Sequence, residues 1–436
     1  MLPTFSKNKF PQSFQTYFNQ NWKPLLTTRL LGLDMYTLVY QRYTKMPIMW
    51  DIPRQEFVSC EDSRETRWFR AECIVGMGIV AICYVTIFLQ QIARSEDSSI
   101  PQVSLLSLIS FFSAAQVSIY GASGAILVKN NGTEYARGYN FLKRLEDELV
   151  QAYRYYDRRT PSQIYTFNLL VLSLAFYYVT LPLVMLPAFL YMDIDPAMYI
   201  LDIIFGPSPP RVLKNLSLQL YHHLNRLIVR AGFIWTFAVG FCRLTGVVLL
   251  SLLVIFKRMR HVLQIIHRMN GKTYRKISAM MYYNELQLIF KDIAKLQDSI
   301  ASGLLIIGFS LNGFVIYILI QGYRVLPFGV YSMFVGVAVM TISSMTTSIP
   351  VCVDTNRISL KLLDDWKQLN DKLQRKRAIA MPQMNMNFSF GQFRIFRMTK
   401  AAKNKFYSAL VDFPLNMLLG YSRAEFEMSF NVRNQN

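Results

Sequence analysis

Six apolar segments, residues 73–93, 103–128, 164–192, 231–256, 300–321 and 325–349, each reach the length needed to cross a bilayer. A helix needs about 20 mostly apolar residues to span the hydrocarbon core, and core helices of soluble domains seldom need runs this long. The chain is 52% hydrophobic and 17% charged, against about 25% charged residues in an ordinary soluble domain. Such a composition excludes a disordered chain and a collagen repeat. Five Cys in 436 residues exclude a disulfide scaffold. The expected fold class is all-α, a polytopic membrane helical bundle with cytosolic helical extensions. It divides into a cytosolic N-terminal segment (1–72), a six-span bundle (73–349) and a C-terminal region (350–436) holding a cytosolic helix and, at 406–421, a seventh span that is either short and partial or absent. Residues 1–70 mix Pro, Asn, Gln and Arg without an apolar core, so no cleavable signal peptide is expected and the first span has to start translocation.

The formal net charge is +20, from 47 Lys and Arg against 27 Asp and Glu. A charge of that size raises nucleic acid as a partner, and its distribution answers the question. Segments 1–70, 129–163, 257–299 and 350–436 hold 40 of the basic residues, while the alternate connections hold 6 and Arg243 lies within a span. This is the positive-inside pattern, which puts the N-terminus and those four segments in the cytosol and leaves no role for nucleic acid. Cys73, Cys83 and Cys242 fall within spans, and Cys60 and Cys352 in the reducing compartment. No external connection contains a Cys, so no structural disulfide is expected. Asn131 opens a sequon on the cytosolic side and should stay bare, whereas the Asn215-Leu-Ser sequon lies outside and is the glycosylation candidate.

The cytosolic segments carry apolar stripes at helical spacing: Leu142, Leu145, Leu149, Ala152 and Tyr156; Tyr282, Leu286, Ile289, Ile293 and Leu296; and Ile358, Leu362, Trp366, Leu369 and Leu373. Gly271 divides the fourth loop into two helical pieces. Two accounts compete for the stripes. They lie on the inner leaflet, held by basic residues and membrane lipid, or they pack together as a cytosolic continuation of the bundle. The acidic residues among them (Glu146, Asp147, Glu148, Glu285, Asp292, Asp364 and Asp365) favour packing, because an anionic membrane repels them. The stripe from Ile358 to Leu373 directly follows the sixth span and is the candidate surface for oligomerisation.

Within the spans, Arg243 is the residue that most demands a reason. A charge at a helix centre costs roughly 2.5–3.5 kcal/mol on insertion scales, so it should face protein or a wet cavity. It is the candidate ligand-binding residue, with a structural partnership to Ser, Tyr or backbone carbonyls as the plainer reading. Pro182 and Pro187 free carbonyls in the third span, which neighbours have to re-satisfy. Ser104, Ser107, Ser110, Ser113, Gln116, Ser118 and Ser123 make the second span suited to close helix contact or to lining a pocket. His222 and His223 are adjacent, and His261 and His267 lie six apart; neither pair has metal-ligand spacing on a helix. No phosphate loop, nucleophile elbow or paired catalytic carboxylates occur, so the enzyme reading ranks last, and neither metal nor cofactor is expected.

Several stretches together resemble the insect gustatory receptor family, relatives of the insect odorant receptors. They are Arg29-Leu-Leu-Gly-Leu-Asp-Met35 before the first span, the long second and fourth intracellular connections, Cys352 closing the sixth span ahead of a helix with Asn356 and Trp366, and Phe406-Tyr-Ser-Ala-Leu-Val-Asp-Phe-Pro-Leu415. The resemblance covers nearly the whole chain in architecture. It departs at the tail, where Glu425 and Glu427 stand in place of the family's apolar run before its closing Gln-Phe. The resemblance implies a multi-pass plasma-membrane chemoreceptor that binds a small-molecule tastant and acts in a homo- or hetero-tetramer with related receptors as a ligand-gated cation channel. The family's pore motif is not found here. The tastant would bind among the outer halves of the second to sixth spans. A small-solute transporter or a non-conducting scaffold or co-receptor is the alternative, although residues 73–192 and 231–349 show no internal symmetry of the kind transport folds use.

Overall fold

The computed structural model describes residues 30–40, 45–60, 64–93, 105–157, 159–192, 201, 216–271, 275–390 and 393–420. The Asn215 sequon, the departing tail from residue 421 onward and the first 29 residues lie outside the described residues. Helix α1 (Leu31–Tyr40) precedes a hairpin of β1 (Ile48–Asp51) and β2 (Glu56–Ser59). Helix α2 (Arg64–Ala71) passes through a π turn (Glu72–Gly76) into α3 (Met77–Ile92). The long helices follow: α4 (Leu105–Ala152), α5 (Pro161–Met192), α6 (Leu216–Asn270), α7 (Lys276–Gln321) and α8 (Phe328–Lys367). The chain continues through α9 (Lys372–Ala380), a second hairpin of β3 (Asn387–Phe390) and β4 (Phe393–Arg397), and α10 (Lys400–Gly420).

Six helices are long and apolar enough to cross a membrane. Four of them far exceed the crossing. At 1.5 Å per residue, the 48 residues of α4 extend for about 72 Å, more than twice the ~30 Å of hydrocarbon. Helix α6 is the central one: 89% of its most apolar window is buried, against 28% for the windows of α5 and α8. The peripheral helices leave Ile79, Ile82, Leu183, Val339 and Ile342 exposed, a lipid-facing surface that water would not tolerate at this density.

The first two stripes, on α4 and α7, pack on one another. Leu142, Leu145 and Leu149 of α4 are buried, as are Leu286, Ile289, Ile293 and Leu296 of α7. Polar pairs cross the same seam at Glu134–Lys295, Arg137–Asp292 and Glu148–Tyr282, with the two numbers moving in opposite directions, so the helices run antiparallel. Ala152 is exposed and Tyr156 is buried from a 3-10 turn, Arg154–Tyr156. Helix α6 ends at Asn270 beside Gly271, and α7 starts at Lys276.

The third stripe is covered over part of its length by the chain itself. Leu362 and Trp366 are fully buried within the chain itself; the Trp366 indole donates to Asn270 Oδ1 at 2.6 Å and meets the Tyr283 ring at 5.3 Å. Ile358 and Leu369 are half-buried, and only Leu373, beyond the end of α8, is exposed. Within one chain the stripe is thus covered at Leu362 and Trp366 and open at Leu373. Beside it, the loop before the second hairpin reaches the same helix: the Met384 N–H donates to Ser359 Oγ at 2.9 Å and Tyr283 Oη lies 2.6 Å from the same hydroxyl.

Both hairpins are additions to a helical plan. Strand β2 lacks a third strand and takes a side chain as partner: Asn140 of α4 accepts from the Phe57 N–H at 3.0 Å and donates to the Phe57 carbonyl at 2.8 Å. Trp50, Phe57 and Tyr139 form an edge-on aromatic cluster beneath it.

Candidate functional site

Helix α1 packs against the long helices. It wedges between α5 and α6, and its sequence is cut for that place. Gly246 of α6 leaves the room that the Tyr36 ring fills, since an added Cβ there would stand 2.5 Å from the ring. Tyr36 Oη donates to the carbonyls of Cys242, at 3.0 Å, and Arg243. One turn on, Tyr40 Oη donates to the Tyr178 carbonyl at 2.8 Å. That carbonyl is the one freed by Pro182, which has no N–H to offer four residues later. The wedge thus repairs a defect that the proline creates. Buried Asp34 ties its outer face to the first hairpin by accepting from Trp50 Nε1 at 2.7 Å and Gln55 Nε2 at 2.8 Å.

Arg243 is 1% exposed. Its guanidinium is 3.2 Å from the Glu72 carboxylate, in the π turn that joins α2 to α3, and 4.9 Å from the Phe69 ring centroid. An ion pair with a cation–π contact meets the desolvation problem that a mid-span charge raises. An acid and an aromatic ring are thus among its partners. The guanidinium is not among the groups that line the cavity described next.

Helices α4 to α8 enclose a cavity of about 230 Å3. A dry apolar cavity of about 150 Å3 is enough to take up benzene. Lining positions run from Phe237 to Phe256 on α6 and from Met333 to Cys352 on α8, so the cavity is elongated along the helix axes and not confined to the outer halves of the spans. Phe388 of β3 closes the end nearest Cys352. Among the described residues the lining contains no Asp, Glu, Lys, Arg or His. Of the serines singled out on the second span, Ser113 lines the cavity. Ser118 returns its hydroxyl to its own helix, and Gln116 accepts from Ser310 of α7 at 2.6 Å.

Where the long helices leave the apolar layer, a second constellation stands, one that residue spacing did not reveal. Buried Glu146 of α4 accepts from Arg159 Nη1 at 2.7 Å, from Arg258 of α6, and lies 2.7 Å from His261 Nδ1. The other ring nitrogen of His261 is 3.1 Å from Asp157, which Arg159 also grips in a fork at 3.2 and 3.1 Å. Burial by itself would raise the Glu146 pKa, but Arg258, the His261 bond and Arg159 outweigh it and hold the carboxyl at about 2. Burial likewise works to raise the Asp157 pKa, and the Arg159 bonds together with the Arg159 and His261 charges outweigh it and depress the carboxyl. No group of three or more His, Cys, Asp or Glu able to hold a metal ion occurs among the described residues, and this cluster is an ion-pair knot linking α4, α6 and the connection into α5.

Fold and cavity define the class: a polytopic all-α membrane protein with an uncharged cavity among its spans. No protein-family model matches the chain, and no curated protein matches it in sequence. Among solved structures the chain is similar to the insect olfactory receptor OR5 from Machilis hrabei, with 10% identity over 94% of this chain and 99% of that one and a TM-score of 0.48. It is similar at the same TM-score to that receptor in complex with eugenol, with 9% identity over 92% of this chain and 98% of the other.

Proposed function

We propose that this chain is a chemosensory receptor of the gustatory type at the plasma membrane, with its N-terminus in the cytosol. A small-molecule tastant occupies the cavity, and the chain acts as a subunit of a tetrameric ligand-gated cation channel. The observation that carries the reading is the joining of cavity to rod: α4, α6, α7 and α8 line the cavity and continue unbroken into a packed cytosolic bundle. A ligand that prefers one spacing of these rods shifts their equilibrium by its differential affinity for the two states. Transport folds instead bind substrate at interrupted helices near the midplane, whereas α4, α6 and α7 pass the cavity as continuous helices. Assembly in this reading uses α10, whose Phe413 docks on α7 while Val411, Leu415 and Leu419 stay exposed.

The test is cation current in cells expressing the chain, alone and with related receptors, while neutral small molecules are applied. Leu305→Trp, which fills the cavity, should abolish the response while surface expression persists. Ligand uptake without current would replace the receptor with the transporter. Tags at Lys9 and Lys272 should stain only in permeabilised cells; staining of intact cells would reverse the orientation.

A further inference from the structure

Five Ser and Thr hydroxyls line the cavity, and four of them are already spoken for. Ser113, Thr341, Ser344 and Ser348 donate to carbonyls four residues back on their own helices, at 3.0, 2.8, 2.8 and 2.7 Å. Thr245 does not. Its Oγ1 is buried without a protein partner on the most buried helix of the bundle, although helical Thr commonly back-bonds in the way the other four do. Tyr177 Oη, on α5, is buried and unpartnered as well, with its ring reaching toward Gly336 on α8. Buried polar groups in native proteins are hydrogen-bonded, and each exception calls for a reason. Among the residues lining this cavity, Thr245 and Tyr177 are the two with such a buried hydroxyl.

From this we infer that Thr245 and Tyr177 are the polar anchors of the cavity, and that its occupant is an uncharged, elongated apolar molecule bearing a hydrogen-bonding oxygen: an alcohol, phenol, ketone or aldehyde. The inference rests on the ligand-cavity reading above and narrows it to a chemical class. A charged occupant would find no counter-ion in the lining. A pure hydrocarbon would leave both hydroxyls unsatisfied, and sites built to bond an oxygen discriminate strongly against analogues that lack it. Both anchors are also held in place from behind. Tyr36 pins the α6 backbone at Cys242 and Arg243, just before Thr245, and Tyr40 pins the α5 backbone at Tyr178, next to Tyr177. The α1 wedge therefore fixes the two helices whose hydroxyls receive the ligand, and preorganised groups bind with less ordering cost.

The experiment uses the full-length protein in lipid nanodiscs and a matched pair of photoaffinity probes. One is a medium-chain primary alcohol with a mid-chain diazirine, the other the same chain ending in a methyl group. Cross-linked peptides are mapped by mass spectrometry across a concentration series. The alcohol should label cavity positions of α5 to α8 at a lower half-saturating concentration than the hydrocarbon. Thr245→Val and Tyr177→Phe should each raise that concentration for the alcohol about 10-fold, the scale of one hydrogen bond, and leave hydrocarbon labelling unchanged. Unchanged hydrocarbon labelling also reports an intact cavity, and Thr245→Ser, which restores a hydroxyl, should label as the parent does. Equal half-saturation for the two probes, or alcohol labelling that ignores both substitutions, overturns the anchors while the cavity reading stands. Labelling restricted to lipid-facing positions such as those of α3 overturns both.

Discussion

The two ends of α7 are held by different physics. At its Lys276 end it faces α4 through buried Leu and Ile flanked by Lys295–Glu134 and Arg137–Asp292, close to the Glu146 knot. Across the membrane the same helix is fitted by shape: Gly313 leaves a notch that the Phe413 ring of α10 occupies, and Phe309 and Phe314 flank that ring at 5.4 and 5.6 Å. Directional bonds give the half outside the apolar layer one arrangement. Apolar contacts in lipid have no such direction and admit several of similar energy, which is where a cavity and a movable helix can be kept.

The sharpest way to break the comparison is to remove Glu146. Glu146→Ala would leave the Arg159, Arg258 and His261 side chains packed together without their shared carboxylate, and losing one partner of a buried ion pair costs about 3–5 kcal/mol. Thermal unfolding of the purified protein and new proteolysis within 129–163 should both report the loss, while the spans still insert. The effect should depend on pH with a definite sign. The folded carboxyl titrates at about 2, below its ordinary 4.5. The knot's contribution is thus complete above about pH 4.5 and fades as the pH falls toward 2, so the gap between parent and variant should close over that interval. A gap that widens on acidification would reverse the assignment.

Shape-matching in the membrane half predicts a smaller cost with a different remedy. An added methyl group at Gly313 would meet the Phe413 ring, and overpacking of this kind costs about 1–3 kcal/mol. Gly313→Ala should loosen α10, seen as faster cleavage in 393–420, and Phe413→Ala in the same chain should restore part of the protection. Ion-pair substitutions cannot be rescued in this way.

Tyr40→Phe should cost about 1 kcal/mol, the net value of one hydrogen bond, and the α1 wedge makes the cost conditional. In a Pro182→Ala background, residue 182 regains an N–H for the Tyr178 carbonyl, so Tyr40→Phe should become nearly silent. A double-mutant cycle on thermal stability measures the coupling; equal costs in both backgrounds would show that Tyr40 acts through packing alone. The smallest effect is expected at Glu134, whose partner Lys295 is exposed. Glu134→Gln should leave the melting temperature unchanged at physiological salt, because water and ions already screen the pair.

Much of this organisation is written in local pattern. Six runs of adequate length, the uneven spread of Lys and Arg, and the 3–4 spacing of Leu142, Leu145 and Leu149 are properties of neighbours along one helix, and they led to the all-α bundle and to packed cytosolic stripes. Gly271 marked the break between α6 and α7 for the same reason. The spacing could also show that Ile358–Leu373 had an apolar face, but not what would meet it; around Trp366 the answer was Tyr283 and Asn270, far away in sequence.

The cavity lay further beyond reach. Five helices contribute its wall, and Thr245 and Tyr177 stand out only once the hydroxyls around them are seen to be satisfied. Arg243 announced itself by its charge, yet its partners Glu72 and Phe69 are about 170 residues distant, and nothing in either stretch names the other. Pro182 is the clearest division between the two kinds of information. The sequence alone determined that the Tyr178 carbonyl would lose its helical donor, because a proline ring carries no N–H. Only the tertiary structure decided that Tyr40, from a segment that reads as polar and cytosolic, would enter the bundle to replace it: that choice depended on a groove between α5 and α6 which exists only after the spans have packed.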